Sequence, residues 1–219
     1  MKKFAVIIIT MMFSTCACAG MTSIKGDTIN NAEVKEVGIY FTGGVNNQTV
    51  TWLMSGLAEI KANYRNVNNI DIYINSEGGD MDASYVAYES LRKSPVKLNM
   101  INASMTGSAA TIIYCASPER YAMPMSRFLL HPAAAGYEKA DYIKPDQARR
   151  ILEEDEAYNG LFRKVYSSCT SLTPQELNEI TASEAGRKIY DVNDAIKHGL
   201  VTHGVKESRD YLLTYFITD

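Results

Sequence analysis

The stretch DIYINSEGGDMDASYVAYESL, residues 71–91, contains a strand, a glycine turn and a helix in that order. Residues 71–74 suit a buried strand, and the run 75–79 closes it with two glycines. Asp80 then stands where a helix N-cap is expected, ahead of apolar residues at three- and four-residue steps. This stretch therefore predicts one strand–turn–helix unit.

The same order repeats on both sides of this unit. Upstream, residues 37–41 suit a second buried strand, and residues 47–61 carry one apolar helical face. Downstream, we expect a third strand over residues 96–101, a loop over 102–107 and a short buried helix over 108–115. Strands and helices that alternate in this way predict an α/β fold with a mostly parallel sheet.

The second half of the chain is more helical. A long, highly charged helix is predicted over residues 146–167, polar enough to project from the body or to pair with another subunit. A capping box at Thr173 begins another helix. A short helix over residues 193–198 is expected to precede a strand at residues 200–201.

Length and charge exclude several classes of protein. The 219 residues suit one domain, and 46% hydrophobic residues exclude a disordered or collagen-like chain. With 22 Lys plus Arg against 25 Asp plus Glu, the net charge is -3. Such a chain has no global positive field to hold a phosphate backbone, so we expect no nucleic-acid partner.

The N-terminus has the order of a secretory signal peptide. Lys2 and Lys3 precede the apolar run 4–13, and small residues follow up to Gly20. We expect cleavage near Ala19, and hence a periplasmic or secreted protein. A lipid anchor on a cysteine of this segment is a minor alternative.

The remaining segments outside the main domain are short. Residues 1–19 form the expected signal peptide, and residues 20–35 are polar and aperiodic, which predicts a flexible lead-in. Residues 206–219 form a C-terminal tail whose apolar residues are expected to dock on the body.

Cleavage would leave two cysteines, Cys115 and Cys169. In an oxidising compartment the two can form a disulfide, whereas two buried free thiols are the commoner arrangement, and the sequence leaves both open. The three histidines have no spacing that pairs them on one helical turn, so we expect no metal site.

Three features indicate chemistry when they are taken together. Gly78 and Gly79 follow a strand and allow the backbone to approach a ligand closely. Ser108 follows Gly107 at a strand-to-helix junction, where a hydroxyl is exposed beside unpaired backbone N–H groups. His131 ends a strand. Together they can supply a nucleophile, a base and an oxyanion hole.

Four blocks of the sequence resemble, in the same order, the Clp protease proteolytic subunit family. They are NSEGG at 75–79, ASMTGSAA at 103–110, MPMSRFLLH at 123–131 and NDAIKHGLV at 193–201. The similarity covers about residues 36–205, the expected Clp protease-like domain. It implies a crotonase-like spiral of βαβ units with a protruding helical handle, for which the charged helix at 146–167 is the candidate. It also implies a homo-oligomeric ring that acts on peptides or unfolded proteins.

The resemblance also assigns roles to individual residues. It implies that Ser108 is the nucleophile, that His131 is the base, and that the N–H groups of Gly79 and Ala109 form the oxyanion hole. Ser104 is a rival nucleophile because Ala103-Ser104-Met105 matches the family locally. We prefer Ser108 because it requires a gap of only two residues before the histidine block. No cofactor and no metal are implied.

One position departs from the family pattern. The family has an aspartate twelve residues before the glycine of Gly-Leu-Val, and here that position is Arg187. A guanidinium would oppose the imidazolium that an acid stabilises. Glu184 or Asp191 can replace the acid, or the site works as a dyad, or it is inactive.

The sequence thus predicts an exported serine endopeptidase of Clp type. Because no ATP is present outside the cytoplasm, we expect no ATP-driven unfoldase partner. The alternatives are a catalytically impaired ring or scaffold protein, a hydratase or isomerase of the crotonase class, and a peptidase with a Ser–Lys pair.

Overall fold

The computed structural model describes residues 20–135 and 142–219. The expected signal peptide, residues 1–19, lies outside the described residues. The strands are β1 (Gly20–Lys25), β2 (Glu36–Thr42), β3 (Asn69–Ser76), β4 (Lys97–Gly107), β5 (Glu119–Ala122), β6 (Arg127–Leu130), β7 (Lys188–Tyr190) and β8 (Leu213–Thr218). The α-helices are α1 (Asn47–Asn63), α2 (Met81–Leu91), α3 (Ala109–Tyr114), α4 (Pro145–Cys169), α5 (Pro174–Ala182) and α6 (Val192–Lys197).

The strands form one sheet in the order β1-β8-β2-β3-β4-β6-β7, and β5 also pairs with β4. Strands β8, β2, β3, β4 and β6 run parallel, whereas β1 and β7 add antiparallel edges. None of the helices in the two described ranges combines the length and apolar composition of a membrane span. The α/β class and the mostly parallel sheet are confirmed.

Local sequence accounts for the central elements. Ile70, Ile72 and Ile74 of β3 are buried, as expected for a strand covered on its faces. The Asp80 carboxylate accepts a hydrogen bond of 2.8 Å from the Ala83 N–H and so caps α2. Because β3, β4 and β6 are parallel, their carboxyl ends meet at one edge of the sheet. The loops that carry Gly79, Ser108 and His131 follow these three ends.

The expectation of a flexible lead-in over residues 20–35 is wrong. Strand β1 pairs with β8 from Gly20↔Thr218 to Lys25↔Leu213, and Val34 is fully buried. An edge strand needs only backbone hydrogen bonds from its neighbour, so a polar, aperiodic sequence can form one. The neighbour comes from the C-terminal tail, whose strand β8 lies inside the sheet.

Two further expectations about strands are wrong. The predicted loop at 102–107 continues β4, because Met105 to Gly107 pair with β6. The predicted strand at 200–201 is not a strand; Leu200 and Val201 are buried, and the Val201 N–H donates to the Ala195 carbonyl at 3.1 Å. Strand β7 was not predicted. Its three residues are too few to show the alternation of apolar and polar side chains that identifies a strand.

A buried carboxylate, Asp71 on β3, fastens the segment that leads into β8. It accepts hydrogen bonds from Lys206 Nζ at 2.7 Å, from the Tyr211 hydroxyl at 2.5 Å and from Asn99 Nδ2 at 2.5 Å. Arg209 Nη2 lies 3.1 Å away. Burial by itself raises the pKa of Asp71, but these hydrogen bonds and the Lys206 charge outweigh it and lower the pKa to about 2.

This pKa predicts a pH-dependent part of the stability. Because the pKa of Asp71 is about 2 when folded and 3.8 in its ordinary state, its contribution is present above pH 4 and is lost as the pH falls toward 2. We expect the loss to be about 2 kcal/mol. Urea unfolding at pH 7 and pH 2.5 should show a smaller pH effect in Asp71→Asn than in the wild type. Equal pH effects in the two proteins would contradict the assignment.

Candidate active site

Ser108 lies between β4 and α3 in a rare backbone conformation. Its φ of 50° and ψ of -130° make it the single non-glycine residue with positive φ in the described parts of the chain. Such a conformation costs roughly 1–3 kcal/mol and persists only where the surroundings fix it. Here the Ser108 N–H donates to the Leu129 carbonyl at 2.9 Å, and the Ser108 carbonyl accepts from the Thr111 N–H at 2.9 Å.

The Gly78–Gly79 loop lies directly against this turn. A Cβ on Gly78, whose φ is +114°, would be 2.6 Å from the Ser108 Cβ and 3.0 Å from the Ala109 nitrogen. Gly79, with φ +144°, would place a Cβ in collision with the Val45 carbonyl. The Val45 N–H donates to Gly78 at 2.8 Å, and its carbonyl accepts from the Asp80 N–H at 2.7 Å. Both positions therefore require glycine.

Two backbone N–H groups of this region have no acceptor among the described residues. Ala109 is the first residue of α3, so its N–H has no partner within the helix. The Gly79 N–H likewise donates to no described group. Such donors beside a hydroxyl can stabilise negative charge on an oxygen.

His131 follows β6, the strand that pairs with the end of β4 through Gly107↔Leu129. Its side chain is 20% exposed, and its Nδ1 lies 3.1 Å from Glu184 Oε1. No hydrogen bond joins His131 to Ser108 among the residues that the structure describes. The two side chains follow adjacent strand ends. Catalytic hydrogen bonds of this kind often form only in the complex with substrate.

Glu184 is the carboxylate that lies beside His131. It lies in a 3-10 turn, Glu184–Gly186, and Arg187 Nη1 is 3.8 Å from its Oε2. Gly186 permits this tight turn, because a Cβ there would collide with the Glu179 carbonyl. Of the open alternatives, Asp191 instead caps α6 by accepting from the Asp194 N–H at 2.9 Å. The Arg187 guanidinium therefore lies beside the Glu184 carboxylate.

Ser104, the rival nucleophile, lies within β4. The register between β4 and β3 shifts between Ile74 and Ser76, and the Met105 N–H reaches the Asn75 side chain at 3.4 Å. Ser104 is exposed at this irregular stretch and is not at a strand-to-helix junction. The backbone geometry of a nucleophile turn thus occurs at Ser108.

Sequence reasoning missed the residues that hold the chain beyond His131. The Ala133 N–H donates to Asn159 Oδ1 at 2.8 Å, and the Ala135 N–H donates to Asp155 Oδ1 at 2.5 Å. Both acceptors lie on α4, so these two hydrogen bonds hold the segment after the histidine against that helix. A cavity of about 490 Å³ adjoins it, and α4 and α5 form much of its wall. No pattern in the sequence marks Asn159 or Asp155 as partners of this segment.

The structure joins Cys115 and Cys169 in a disulfide, with their Cα atoms 5.7 Å apart. The alternative of two free thiols is therefore wrong, because the fold brings the end of α3 to the end of α4. Within the described residues, no group of three or more His, Cys, Asp or Glu side chains is placed to hold a metal ion.

Comparison with known proteins agrees with this architecture. A model of the Clp protease family matches residues 22–208. The chain is 29% identical over 163 residues to ATP-dependent Clp protease proteolytic subunit 2 of Borreliella burgdorferi, covering 68% of this chain and 72% of that protein. It is 24% identical over 177 residues to the subunit 2 of Pseudomonas aeruginosa, covering 80% and 84% of the two chains.

A solved structure of a ClpP1 mutant from Listeria monocytogenes has the same fold. It superposes with a TM-score of 0.60 at 22% identity, over 82% of this chain and 95% of that chain. The strand order, the turn at Ser108 and the matched span of the sequence lead to one conclusion. The chain belongs to the Clp protease family and has its crotonase-like fold.

Proposed function

We propose that the protein is an exported serine endopeptidase of Clp type. Membership of the Clp protease family supports a ClpP-type serine peptidase. The observation that carries the proposal is the strained turn at Ser108, which lies against the Gly78–Gly79 loop and beside the strand end that bears His131. Backbone strain of this kind clusters at functional sites.

In the proposed mechanism His131 Nε2 takes the proton of the Ser108 hydroxyl as the oxygen attacks a peptide carbonyl. The Gly79 and Ala109 N–H groups donate to the resulting oxyanion, and each is worth about 10²- to 10³-fold in rate. The Glu184 carboxylate accepts a hydrogen bond from the His131 Nδ1–H, 3.1 Å away, and stabilises the imidazolium. His131 then protonates the leaving amine, and water hydrolyses the acyl-enzyme by the same route in reverse.

The proposed substrates are peptides or unfolded proteins. Residues 132–135 belong to no helix or strand, and the Ala133 and Ala135 N–H groups donate to side chains of α4. The other backbone N–H and C=O groups of this segment can form hydrogen bonds with an extended peptide, which would bind as an added strand. A homo-oligomeric ring is the proposed assembly, since α4 exposes a highly charged surface with Leu152 68% exposed on it.

Export is proposed from two features. The first is the basic, apolar and small-residue order of residues 1–20. The second is the disulfide between Cys115 and Cys169, which persists in oxidising compartments and is rare in the cytosol. An exported enzyme has no ATP available, so we propose activity on loosely folded chains without an ATP-driven unfoldase.

A second candidate function is a catalytically impaired ring or scaffold protein. It is favoured by Arg187 at the family's acid position and by Glu184, whose side chain is 62% exposed. An exposed acid orients an imidazole less firmly than a buried one, because water competes for its oxygens.

A fluorophosphonate probe tests the proposal on the purified protein. We expect mass spectrometry to find the label on Ser108 in the wild type and in Ser104→Ala, and no label in Ser108→Ala. This is the expected result because only an activated serine hydroxyl reacts with the probe. Label that is found on Ser104 and is lost in Ser104→Ala would identify Ser104 as the nucleophile. No label on folded wild-type protein would support the scaffold function.

The same mass spectra report the N-terminus of protein recovered from the periplasm or medium. A first residue near Gly20 is expected from the proposed cleavage. Recovery of the chain only from the cytoplasm, still carrying residues 1–19, would contradict export.

A further inference from the structure

Helices α3 and α4 meet along a buried contact that the proposed mechanism does not use. We call the four residues Thr111, Cys115, Tyr166 and Cys169 the α3–α4 seam. The Thr111 and Tyr166 hydroxyls are 2.7 Å apart, and one turn further along both helices Cys115 and Cys169 form the disulfide. Thr111 and Tyr166 are fully buried, and the two cysteines are 7% and 3% exposed.

The direction of the hydrogen bonds in the seam follows from the number of protons. The Thr111 hydroxyl has one proton and donates it to the Ser108 carbonyl, at 2.5 Å. The Tyr166 hydroxyl must therefore donate to Thr111 Oγ1. The chain of donors runs from α4 through α3 to the backbone of Ser108, and each bond polarises the next.

This chain ends on the peptide group that matters for catalysis. The Ser108 carbonyl and the Ala109 N–H belong to one planar trans peptide, so they point in opposite directions. The N–H and the hydroxyl of Thr111 both hold this carbonyl, so the Ala109 N–H points away from Thr111. The Ala109 nitrogen lies beside the Gly78–Gly79 loop. The same two bonds help to offset the strain at Ser108.

We propose that Tyr166, acting through Thr111, is a positioning residue that aims the oxyanion donor of Ala109, and that the disulfide keeps the seam in register. The inference rests on the proposed peptidase function only for its catalytic consequence. The geometric part, the orientation of the peptide between Ser108 and Ala109, is measurable without activity.

The kinetic test compares variants in the full-length, disulfide-bonded protein with a chromogenic peptide. A lost oxyanion donor lowers the rate by about 10²- to 10³-fold, so a misdirected one loses part of this. We expect kcat to fall about 10-fold in Tyr166→Phe and about 100-fold in Thr111→Val, with KM unchanged. Thr111→Ser keeps the hydroxyl and should stay within about threefold of the wild type.

Tyr114→Phe is the matched control. Tyr114 lies on α3, the helix of Thr111, and is fully buried. Its hydroxyl donates to the Tyr121 carbonyl at 2.9 Å, away from Ser108. Its removal costs a buried hydrogen bond of the same kind but should leave kcat unchanged. Equal losses in Tyr166→Phe and Tyr114→Phe, or Thr111→Ser as slow as Thr111→Val, would overturn the inference.

Hydrogen–deuterium exchange of residues 107–113 separates this inference from the proposed function. We expect faster exchange in Tyr166→Phe, in Thr111→Val and in the Cys115→Ser/Cys169→Ser double variant, but not in Tyr114→Phe. If the wild type does not react with the fluorophosphonate, the proposed function fails and this exchange alone decides the inference. Unchanged exchange in all three seam variants would reject it.

Discussion

Replacing His131 by alanine is expected to lower kcat for a peptide substrate by about 10⁴- to 10⁶-fold, with little change in KM. No other histidine follows the carboxyl ends of β3, β4 and β6 in the described chain, so the base has no neighbour of the same type to replace it. Steady-state kinetics on the purified protein, with Ser108→Ala as the reference for background hydrolysis, measure the effect. Fluorophosphonate labelling that continues at the wild-type rate would indicate a lysine base instead.

The same series includes the acid beside the histidine. Glu184→Gln should lower kcat by about 10- to 100-fold, less than loss of a buried triad acid, because Glu184 is 62% exposed and Arg187 shares its carboxylate. Asp191→Asn is the matched control, since asparagine also caps a helix and Asp191 caps α6. A Glu184→Gln enzyme as fast as the wild type would establish a Ser–His dyad.

The centre of the fold could be predicted because local patterns and packing agree there. The strand–turn–helix unit at residues 71–91 has a buried strand, two glycines and an aspartate cap, and each has its expected place in the structure. The ends of the sheet could not be predicted in the same way. Strand β1 obtains its hydrogen bonds from β8, almost the whole chain away, and no local pattern records that pairing.

In the candidate site, too, local patterns predict some residues and not others. Ser108 and His131 follow strands, so a parallel sheet brings them to one edge. Glu184 reaches His131 only through a turn that depends on Gly186 approaching the Glu179 carbonyl, which is a contact between separate parts of the fold. The sequence could therefore offer Glu184 only as one of four alternatives, beside Asp191, a dyad and an inactive site, and the distance to His131 was needed to favour it.

The pairing of Cys115 with Cys169 also depends on geometry beyond the local sequence. The two cysteines are 54 residues apart, and a disulfide requires Cα atoms within about 7 Å. The packing of α3 against α4 provides that distance. The side chain of Arg120 also joins the ends of these two helices.

Arg120 is buried with 6% of its surface exposed, and its guanidinium meets four backbone carbonyls. Nε donates to Leu200 at 2.8 Å, Nη1 donates to Ser117 at 2.8 Å, and Nη2 donates to Cys169 at 2.8 Å and to Gly199 at 3.0 Å. These carbonyls lie at or just beyond the C-terminal ends of α3, α4 and α6. Helix C-termini carry partial negative charge, so a cation placed near three of them is favourable.

Arg120→Met is accordingly expected to lower the free energy of unfolding by more than about 4 kcal/mol, a large part of a typical total of roughly 5–15 kcal/mol. Methionine has similar length but no donor, so three buried carbonyls and one partly buried carbonyl lose their partners. Each loss costs about 1–3 kcal/mol for a buried group, partly offset because a buried charge is removed. Arg65→Met, at an exposed position, should change the stability by less than about 0.5 kcal/mol. Urea unfolding of both variants with the disulfide intact measures the difference. A loss below about 1 kcal/mol in Arg120→Met would mean that water reaches these carbonyls. The C-terminal end of α4 would then be held by the disulfide and apolar packing alone.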